Sequence, residues 1–124
     1  MMGWIGVDLD GTLAQYNAGQ GAAIGKPLTP MVKRIKAWCK AKKEVRIFTA
    51  RAETLKGKRA VENWLKENGL PALVVTNIKD SKMMELWDDK AIRVNKNGGT
   101  PCKGCANSST FHQHDHTPDN QTNC

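Results

Sequence analysis

Short, almost continuous apolar runs alternate along this chain with longer segments that carry apolar residues at helical spacing. The runs at residues 4–8, 45–48 and 72–76 have the length and composition of buried strands. Residues 86–87 and 91–94 predict one or two further strands near the end of the apolar part of the sequence. The pattern therefore predicts four or five strands with amphipathic segments between them.

Two helices are predicted between these strands. The first starts with Thr29 as N-cap and Pro30 at the first helical position, and the second covers about residues 53–68, with Asn68-Gly69 as its stop signal. Alternating strands and helices are typical of an α/β fold with a parallel sheet. We therefore expect a Rossmann-like parallel sheet with helices on both faces and a ligand site beyond the carboxyl ends of the strands.

The segment Asp8-Leu9-Asp10-Gly11-Thr12 follows the first predicted strand directly. Residues two apart share a face of a strand, so the carboxylates of Asp8 and Asp10 are expected to converge. Two anions held close together favour a cation between them, because like charges otherwise disfavour ionisation. The pair predicts a Mg²⁺ site, and Gly11 and Thr12 are expected to turn the chain and offer backbone N–H groups and a hydroxyl to a phosphoryl oxygen.

Three further motifs follow, namely Thr49-Ala50-Arg51 after the second strand, then Lys79, then Asp88-Asp89. Their order and spacing after Asp8–Thr12 resemble the four motifs of the haloacid dehalogenase (HAD) superfamily of phosphohydrolases. The resemblance covers roughly residues 3–97 and is greatest with short phage and prophage members that lack a cap domain. It implies an HAD-like phosphatase domain.

The resemblance also implies roles for individual residues. Asp8 would attack phosphorus to form an aspartyl-phosphate, and Asp10 would act as general acid and then as general base. Thr49 would hydrogen-bond the phosphoryl group, and Lys79, or alternatively Lys82, would stabilise its charge. These assignments make Asp8, Asp10, Thr49 and one lysine the expected catalytic residues.

The same resemblance implies that Asp88 and Asp89 complete the Mg²⁺ site with Asp8 and Asp10, since Mg²⁺ prefers hard oxygen ligands. Adjacent side chains of an extended chain point in opposite directions, so one aspartate is expected to ligate directly and the other through water or a hydrogen bond. Arg51 has two open interpretations, as a ligand of the substrate phosphate or as a partner in an ion pair.

Residues 13–29 and 52–72 are too short to hold the cap domains that the superfamily often inserts there, so an open site is expected. An open site suits a macromolecular end or a nucleotide. It could also be closed by the glycine-rich segment 19–25, hereafter the flap, or by a second subunit in a homo-oligomer.

Charge points to an anionic partner. Residues 1–100 hold 18 of the 19 Lys and Arg but only 10 Asp and Glu, and residues 33–46 are the most basic part. Such a surface attracts polyanions, although a solvated helix face gives the same pattern. The segment Pro27–Val32 is also similar to part of the 3′-phosphatase domain of phage polynucleotide kinase-phosphatases. We therefore expect a nucleotide or nucleic-acid terminal phosphate as substrate.

The chain of 124 residues is expected to form one catalytic domain, residues 1–96, followed by a polar tail, residues 97–124. It has neither a membrane-spanning run nor a secretory signal, which predicts a cytoplasmic protein without a membrane partner. In the tail, a Zn²⁺ site, a disordered segment and a disulfide are all open interpretations. The candidate zinc ligands are Cys102, Cys105, His112, His114, His116 and Cys124.

Sequence reasoning favours a Mg²⁺-dependent phosphomonoesterase, because every polar position that the catalyst needs is filled. The alternative is a non-catalytic HAD-like module that binds nucleic acid through its basic helix and its tail. A phosphotransferase and a phosphoprotein phosphatase remain open as well, since the motifs are the same for each.

Overall fold

The computed structural model describes residues 3–107, and it divides into two compact units, one ending at Asp88 and one beginning at Asp89. No helix within these described residues is long and apolar enough to cross a bilayer. The elements of the first unit are β1 (Trp4–Val7), α1 (Thr29–Lys40), β2 (Glu44–Phe48), a 3₁₀ turn (Ala50–Glu53), α2 (Leu55–Glu67), β3 (Val74–Thr76) and β4 (Met83–Trp87), and the second unit contains α3 (Lys103–Asn107).

The four strands form one parallel sheet in the order β3-β2-β1-β4, which confirms the α/β class. β1 lies between two neighbours, and all four of its residues are buried. A strand covered on both faces needs no polar alternation, which explains why residues 4–7 are continuously apolar. At its carboxyl end Val7 pairs with Ile47 of β2 and with Trp87 of β4, so the ends of these three strands lie side by side.

Both long helices pack on the same face of the sheet, which differs from the expected arrangement with helices on both faces. The chain moves from β1 to β2 and on to β3 in one direction across the sheet, and right-handed crossovers then put both helices on one side. The shared core contains Ile5, Val7, Val45, Ile47 and Val75 of the strands, Ile35 of α1, and Val61, Trp64 and Leu65 of α2.

A connection of only six residues, 77–82, joins the two edge strands β3 and β4 across the opposite face. Asp80 fixes it there, because the Trp4 indole Nε1 donates to Asp80 Oδ1 at 2.8 Å and Arg46 Nη1 lies 3.5 Å from Asp80 Oδ2. The Arg46 guanidinium also stacks 4.5 Å from the Trp4 ring centroid. The connection is therefore held by one carboxylate against the middle of the sheet.

The predicted helix boundaries are close to the observed ones. α1 has Leu28 as its N-cap, so Thr29 and Pro30 are already helical, one residue earlier than predicted. α2 starts after Thr54, whose side chain accepts from Gly57 N at 3.0 Å, and it ends at Asn68 as predicted. Residues 91–94 form no strand in the described structure, where Val94 makes only an isolated bridge with Pro101.

The Asp80 contacts predict an acid-sensitive contribution to stability. Hydrogen bonds from the Trp4 indole and the Lys82 amide lower the pKa of the Asp80 carboxyl. A carboxyl whose pKa is lowered in the folded state stabilises the fold at pH values above its unfolded pKa of about 3.9. This stabilisation is lost as the pH falls through the folded-state pKa. We expect the thermal midpoint of Asp80→Asn to be lower than that of wild type at neutral pH and to fall less steeply between about pH 5 and pH 3.

Glu67→Gln on α2 is the control, since it removes a carboxylate without touching the connection. Its midpoint should follow the wild-type pH dependence. Equal acid slopes for wild type and Asp80→Asn would show that Asp80 does not anchor the connection.

Candidate active site

Asp8 is the first residue after β1, and its backbone and side chain are both held. Its amide donates to the Trp87 carbonyl of β4 at 2.9 Å, which extends the strand pairing by one residue. The Thr12 hydroxyl, from the following turn, donates to Asp8 Oδ2 at 3.4 Å. Asp8 is half-buried, so its carboxylate is oriented by neighbours while still open to solvent.

Three carboxylates come together at this edge of the sheet. Asp8, Asp88 and Asp89 each offer an oxygen atom, and these atoms lie within 4.8 Å of one another. The cause is the parallel register of Val7 with Trp87, which makes residues 8 and 88 leave adjacent strands at the same level. Asp89 follows Asp88 directly in the chain, and all three side chains are half-buried.

The turn after Asp8 uses the backbone amides that were expected to bind phosphate. The Leu9 carbonyl accepts from the amides of Thr12, Leu13 and Ala14, and the Gly11 amide donates to the Ala14 carbonyl at 2.8 Å. Gly11 has a φ of +90°, which a residue with a side chain rarely adopts. Gly11 therefore shapes the turn, and in this structure the Gly11 and Thr12 amides point into it.

Asp10 lies outside the acidic group and pairs with Arg51. Arg51 Nε donates to Asp10 Oδ2 at 2.8 Å and Arg51 Nη2 donates to Asp10 Oδ1 at 3.0 Å, which is a bidentate ion pair. These hydrogen bonds from Arg51 to Asp10 are the main reason that the pKa of Arg51 is raised. Asp10 is not a member of the group formed by Asp8, Asp88 and Asp89, because β1 ends at Val7 and strand alternation no longer directs the side chain of residue 10.

Arg51 also fastens the flap, residues 19–25. Its Nη1 donates to the Ala22 carbonyl at 2.6 Å, and its Nη2 donates to the Ala23 carbonyl at 3.2 Å. Trp64 of α2 adds a second attachment by donating from its indole Nε1 to the Gly25 carbonyl at 2.9 Å. One guanidinium thus joins the flap to the Asp10 carboxylate, which is the ion-pair interpretation of Arg51, while its contact with a substrate phosphate stays a prediction.

Thr49 and Gly57 hold the backbone of Arg51. Thr49 is buried at the end of β2, and its hydroxyl oxygen accepts from the Arg51 amide at 3.1 Å. Gly57, in the first turn of α2, lies so close to the Arg51 carbonyl that an added Cβ atom would overlap it. The position of the guanidinium therefore depends on tight packing between the 3₁₀ turn and α2.

The two candidate lysines have different positions. The Lys82 carbonyl accepts from the Trp4 amide at 3.0 Å, so Lys82 lies at the amino end of β1. Asp8 is four strand residues further along, about 13 Å away, which exceeds the length of an extended lysine side chain. Lys79 is exposed, and its side chain makes no hydrogen bond or ion pair with another described residue. Lys79 directly precedes Asp80, which bonds the Trp4 side chain, so no contact within the described residues brings either lysine to Asp8 and the choice between them stays a prediction.

An arginine and two tryptophans near Asp88 had no assigned role in the sequence reasoning. The Arg34 guanidinium lies 4.8 Å from the Trp87 ring centroid, and Trp38 packs edge-on to the same ring at 5.2 Å. Arg34 and Trp38 are one helical turn apart on α1, which is the sequence signal that could have paired them. Trp87 immediately precedes Asp88, so α1 brings a cation close to the acidic group.

In the second unit, Cys102 and Cys105 are both buried, and the Cys105 amide donates to Cys102 Sγ at 3.4 Å. His112, His114, His116 and Cys124 lie outside the described residues, and the zinc site therefore stays a prediction.

A cavity of about 550 Å³ lies between α2 and the edge strand β3, with Glu62, Leu70 and Val74 in its lining. None of the candidate catalytic residues lines it. Asp8, Thr49 and Asp88 instead lie directly after the carboxyl ends of β1, β2 and β4.

Comparison of this chain with protein-family models, with curated proteins and with solved structures finds no match. The fold and the site geometry therefore stand on the structure, and the superfamily resemblance stays a hypothesis carried by the motifs.

The close approach at Gly57 gives a stability prediction. Gly57→Ala should lower the free energy of unfolding by about 1–3 kcal/mol, because the new methyl group overlaps the Arg51 carbonyl. This outcome is opposite to helix propensity, which alone would favour alanine by about 1 kcal/mol. Urea denaturation measures the change.

Gly98→Ala is the matched control, since a Cβ atom there meets its nearest neighbours at an ordinary 3.7 Å. Its free energy of unfolding should stay near that of wild type. A Gly57→Ala chain at least as stable as wild type would contradict the tight packing behind Arg51.

Proposed function

We propose that this protein is a Mg²⁺-dependent phosphomonoesterase that acts through an Asp8 phosphoenzyme on the terminal phosphate of a nucleotide or nucleic acid. The observation that carries the proposal is the meeting of Asp8 with Asp88 and Asp89 at the carboxyl ends of parallel strands. Open α/β sheets bind ligands at this edge. The order of the motifs along the chain supports the same reaction class.

The acidic group fits a magnesium ion. Mg²⁺ takes oxygen ligands at 2.0–2.1 Å in octahedral geometry, so two ligands of one ion are at most about 4.2 Å apart. Oxygen atoms within 4.8 Å of one another need only small rotamer changes to reach that spacing. Asp8 and Asp88, which leave adjacent strands, would hold the ion with Asp89 as a further ligand. When bound, the ion would neutralise charge on the phosphoryl oxygens.

Asp8 is the proposed nucleophile because its carboxylate is oriented and half-buried but not enclosed. One Asp8 oxygen forms a bond to phosphorus while the bond from phosphorus to the ester oxygen breaks. The leaving oxygen takes a proton from Asp10. Water then attacks phosphorus and gives a proton to Asp10, the acyl phosphate bond breaks, and inorganic phosphate is released with Asp8 regenerated.

The acid–base role of Asp10 requires its ion pair with Arg51 to open, because both carboxylate oxygens accept from the guanidinium. A phosphate dianion offers Arg51 the same bidentate geometry as a carboxylate. Substrate binding to Arg51 would therefore free an Asp10 oxygen to take up a proton from solvent and then deliver it to the leaving oxygen. The same exchange would loosen the flap, since Arg51 also bonds the Ala22 and Ala23 carbonyls.

The first test is phosphate release from an aryl phosphate, nucleotides and oligonucleotides phosphorylated at either end. We expect turnover that needs Mg²⁺, is abolished by chelation, and falls by at least about 10³-fold in Asp8→Asn because the nucleophile is lost. Glu67→Gln, far from the site on α2, should keep wild-type rates.

Full activity in Asp8→Asn would overturn the covalent mechanism. If no member of the panel is turned over, and oligonucleotide binding is unaffected by Asp8→Asn, the non-catalytic binding module replaces the enzyme as the favoured function.

A second test addresses Arg51. Arg51→Lys keeps the charge but loses the planar fork, so one charge-assisted hydrogen bond to phosphate is lost, which is worth about 1.5–3 kcal/mol. We expect KM to rise by about tenfold or more and amide hydrogen exchange to accelerate in the flap. Steady-state kinetics and exchange monitored by mass spectrometry measure the two effects.

Arg59→Lys on the exposed side of α2 is the control and should change neither quantity. Faster flap exchange with an unchanged KM would limit Arg51 to a structural role and contradict its contact with substrate.

A further inference from the structure

Three lysines line the solvent side of α1. Lys33, Lys36 and Lys40 are exposed, whereas Ile35 on the opposite side is buried in the core. At 3.6 residues per turn, the three positions fall within an arc of about 60° and extend over about 10 Å of helix axis. We call these three residues the lysine stripe.

The stripe carries a single sign of charge. The sequence has no Asp or Glu between Asp10 and Glu44, so no acidic residue alternates with these lysines on the helix. Within the described part of the chain, none of the three forms an ion pair with a carboxylate. By contrast, the basic residues of α2 share their helix and its flanks with Glu53, Glu62 and Glu67.

The stripe begins near the candidate active site. α1 follows the flap and ends three residues before β2, so it runs antiparallel to the strands and its first turns lie at the carboxyl edge of the sheet. Arg34, next to Lys33, stacks on Trp87, the residue before Asp88. The lysines are therefore arranged in a line that leads away from the acidic group along the helix.

A narrow line of cations suits a linear polyanion. At about 3.4 Å per nucleotide, the length of the stripe matches about three steps of one nucleic-acid strand. A membrane-binding helix would instead place an apolar face beside its lysines, but the apolar residues of α1 face the sheet.

We propose that the lysine stripe of α1 binds the phosphate backbone of a single-stranded nucleic acid whose end lies at the acidic group. The placement of that end rests on the proposed phosphatase function, whereas backbone binding by the stripe does not. The inference thus names the surface that selects a nucleic-acid strand over a free phosphate ester.

The experiment measures binding of a fluorescent single-stranded DNA dodecamer by anisotropy in the Asp8→Asn background, so that no turnover is needed. Lys33→Gln, Lys36→Gln and Lys40→Gln are combined in one variant, and Lys56→Gln, Arg59→Gln and Lys66→Gln on α2 form the control. Both triple variants lose three positive charges, which matches their net charge. Circular dichroism melting establishes that both are folded.

We expect the stripe variant to bind about tenfold or more weakly at low salt and its log–log salt slope to shrink by about 2, since each phosphate contact on a single strand contributes about 0.7. The control variant should bind within about twofold of its parent, because only long-range charge is altered.

Equal losses in the stripe and control variants would overturn the proposal, as would equal competition by polyglutamate or by phosphatidylserine vesicles at matched charge. The expected binding pattern in a protein without turnover on any phosphate would support the stripe and overturn the phosphatase function. Turnover by the wild-type protein, with no loss of binding in the stripe variant, would support the phosphatase function and overturn the lysine stripe as a binding surface.

Discussion

The parallel pairing of β1 with β4 is the constraint on which the candidate site depends. Because the pairing continues to the hydrogen bond from Asp8 N to the Trp87 carbonyl, two aspartates leave the sheet at one level. Their mutual repulsion is an electrostatic cost that the sheet imposes and that only protons, cations or donors can reduce. The Thr12 hydroxyl is one such donor. The fold therefore creates a place for positive charge before any particular reaction is considered.

Arg51 is the second organising group, because one planar side chain joins three parts of the chain. Its backbone is set by Thr49 and Gly57, and its guanidinium joins the Asp10 carboxylate to the flap. The Arg51 guanidinium uses four of its five N–H donors on Asp10, Ala22 and Ala23, so it cannot bind an additional anion through two hydrogen bonds without giving up a partner. Ligand binding, flap attachment and the orientation of Asp10 are consequently coupled through a single residue.

Elements with a local signal could be predicted from the sequence. The buried runs of β1 and β2 and the caps of α1 and α2 were located within one or two residues, because burial and capping leave direct patterns. β4 was only partly predicted, since Met84 and Glu85 are exposed and give no clear alternation. The fifth strand, expected at residues 91–94, is not present among the described residues. The strand order depends on pairings that no local pattern specifies. The same order determines that both long helices pack on one face of the sheet.

The site shows the same division. The meeting of Asp8 with Asp88 follows from parallel strand ends and was predictable, but Asp10 was expected beside them on the basis of strand alternation that stops at Val7. Likewise, counting residues from Asp88 could not show that the Lys82 backbone lies at the amino end of β1, whereas the bond from the Trp4 amide to the Lys82 carbonyl does. Sequence spacing predicts which side chains come together only where the backbone is a regular strand or helix.

The acidic group at the end of β1 and the lysine stripe of α1 carry opposite charges, and the proposed reaction depends on both. Three carboxylates would repel a phosphate dianion, whereas the lysines of α1 attract one from several ångströms away at low ionic strength. A divalent cation at the acidic group would cancel two of the three carboxylate charges, so under the proposed function it would have to be bound before or together with the phosphate. The lysines of α1 would then attract the nucleic-acid strand toward the site. The net charge around Asp8 would determine whether the terminal phosphate of that strand can bind there. Under this proposal, affinity for the strand and access of its terminal phosphate are set by separate groups.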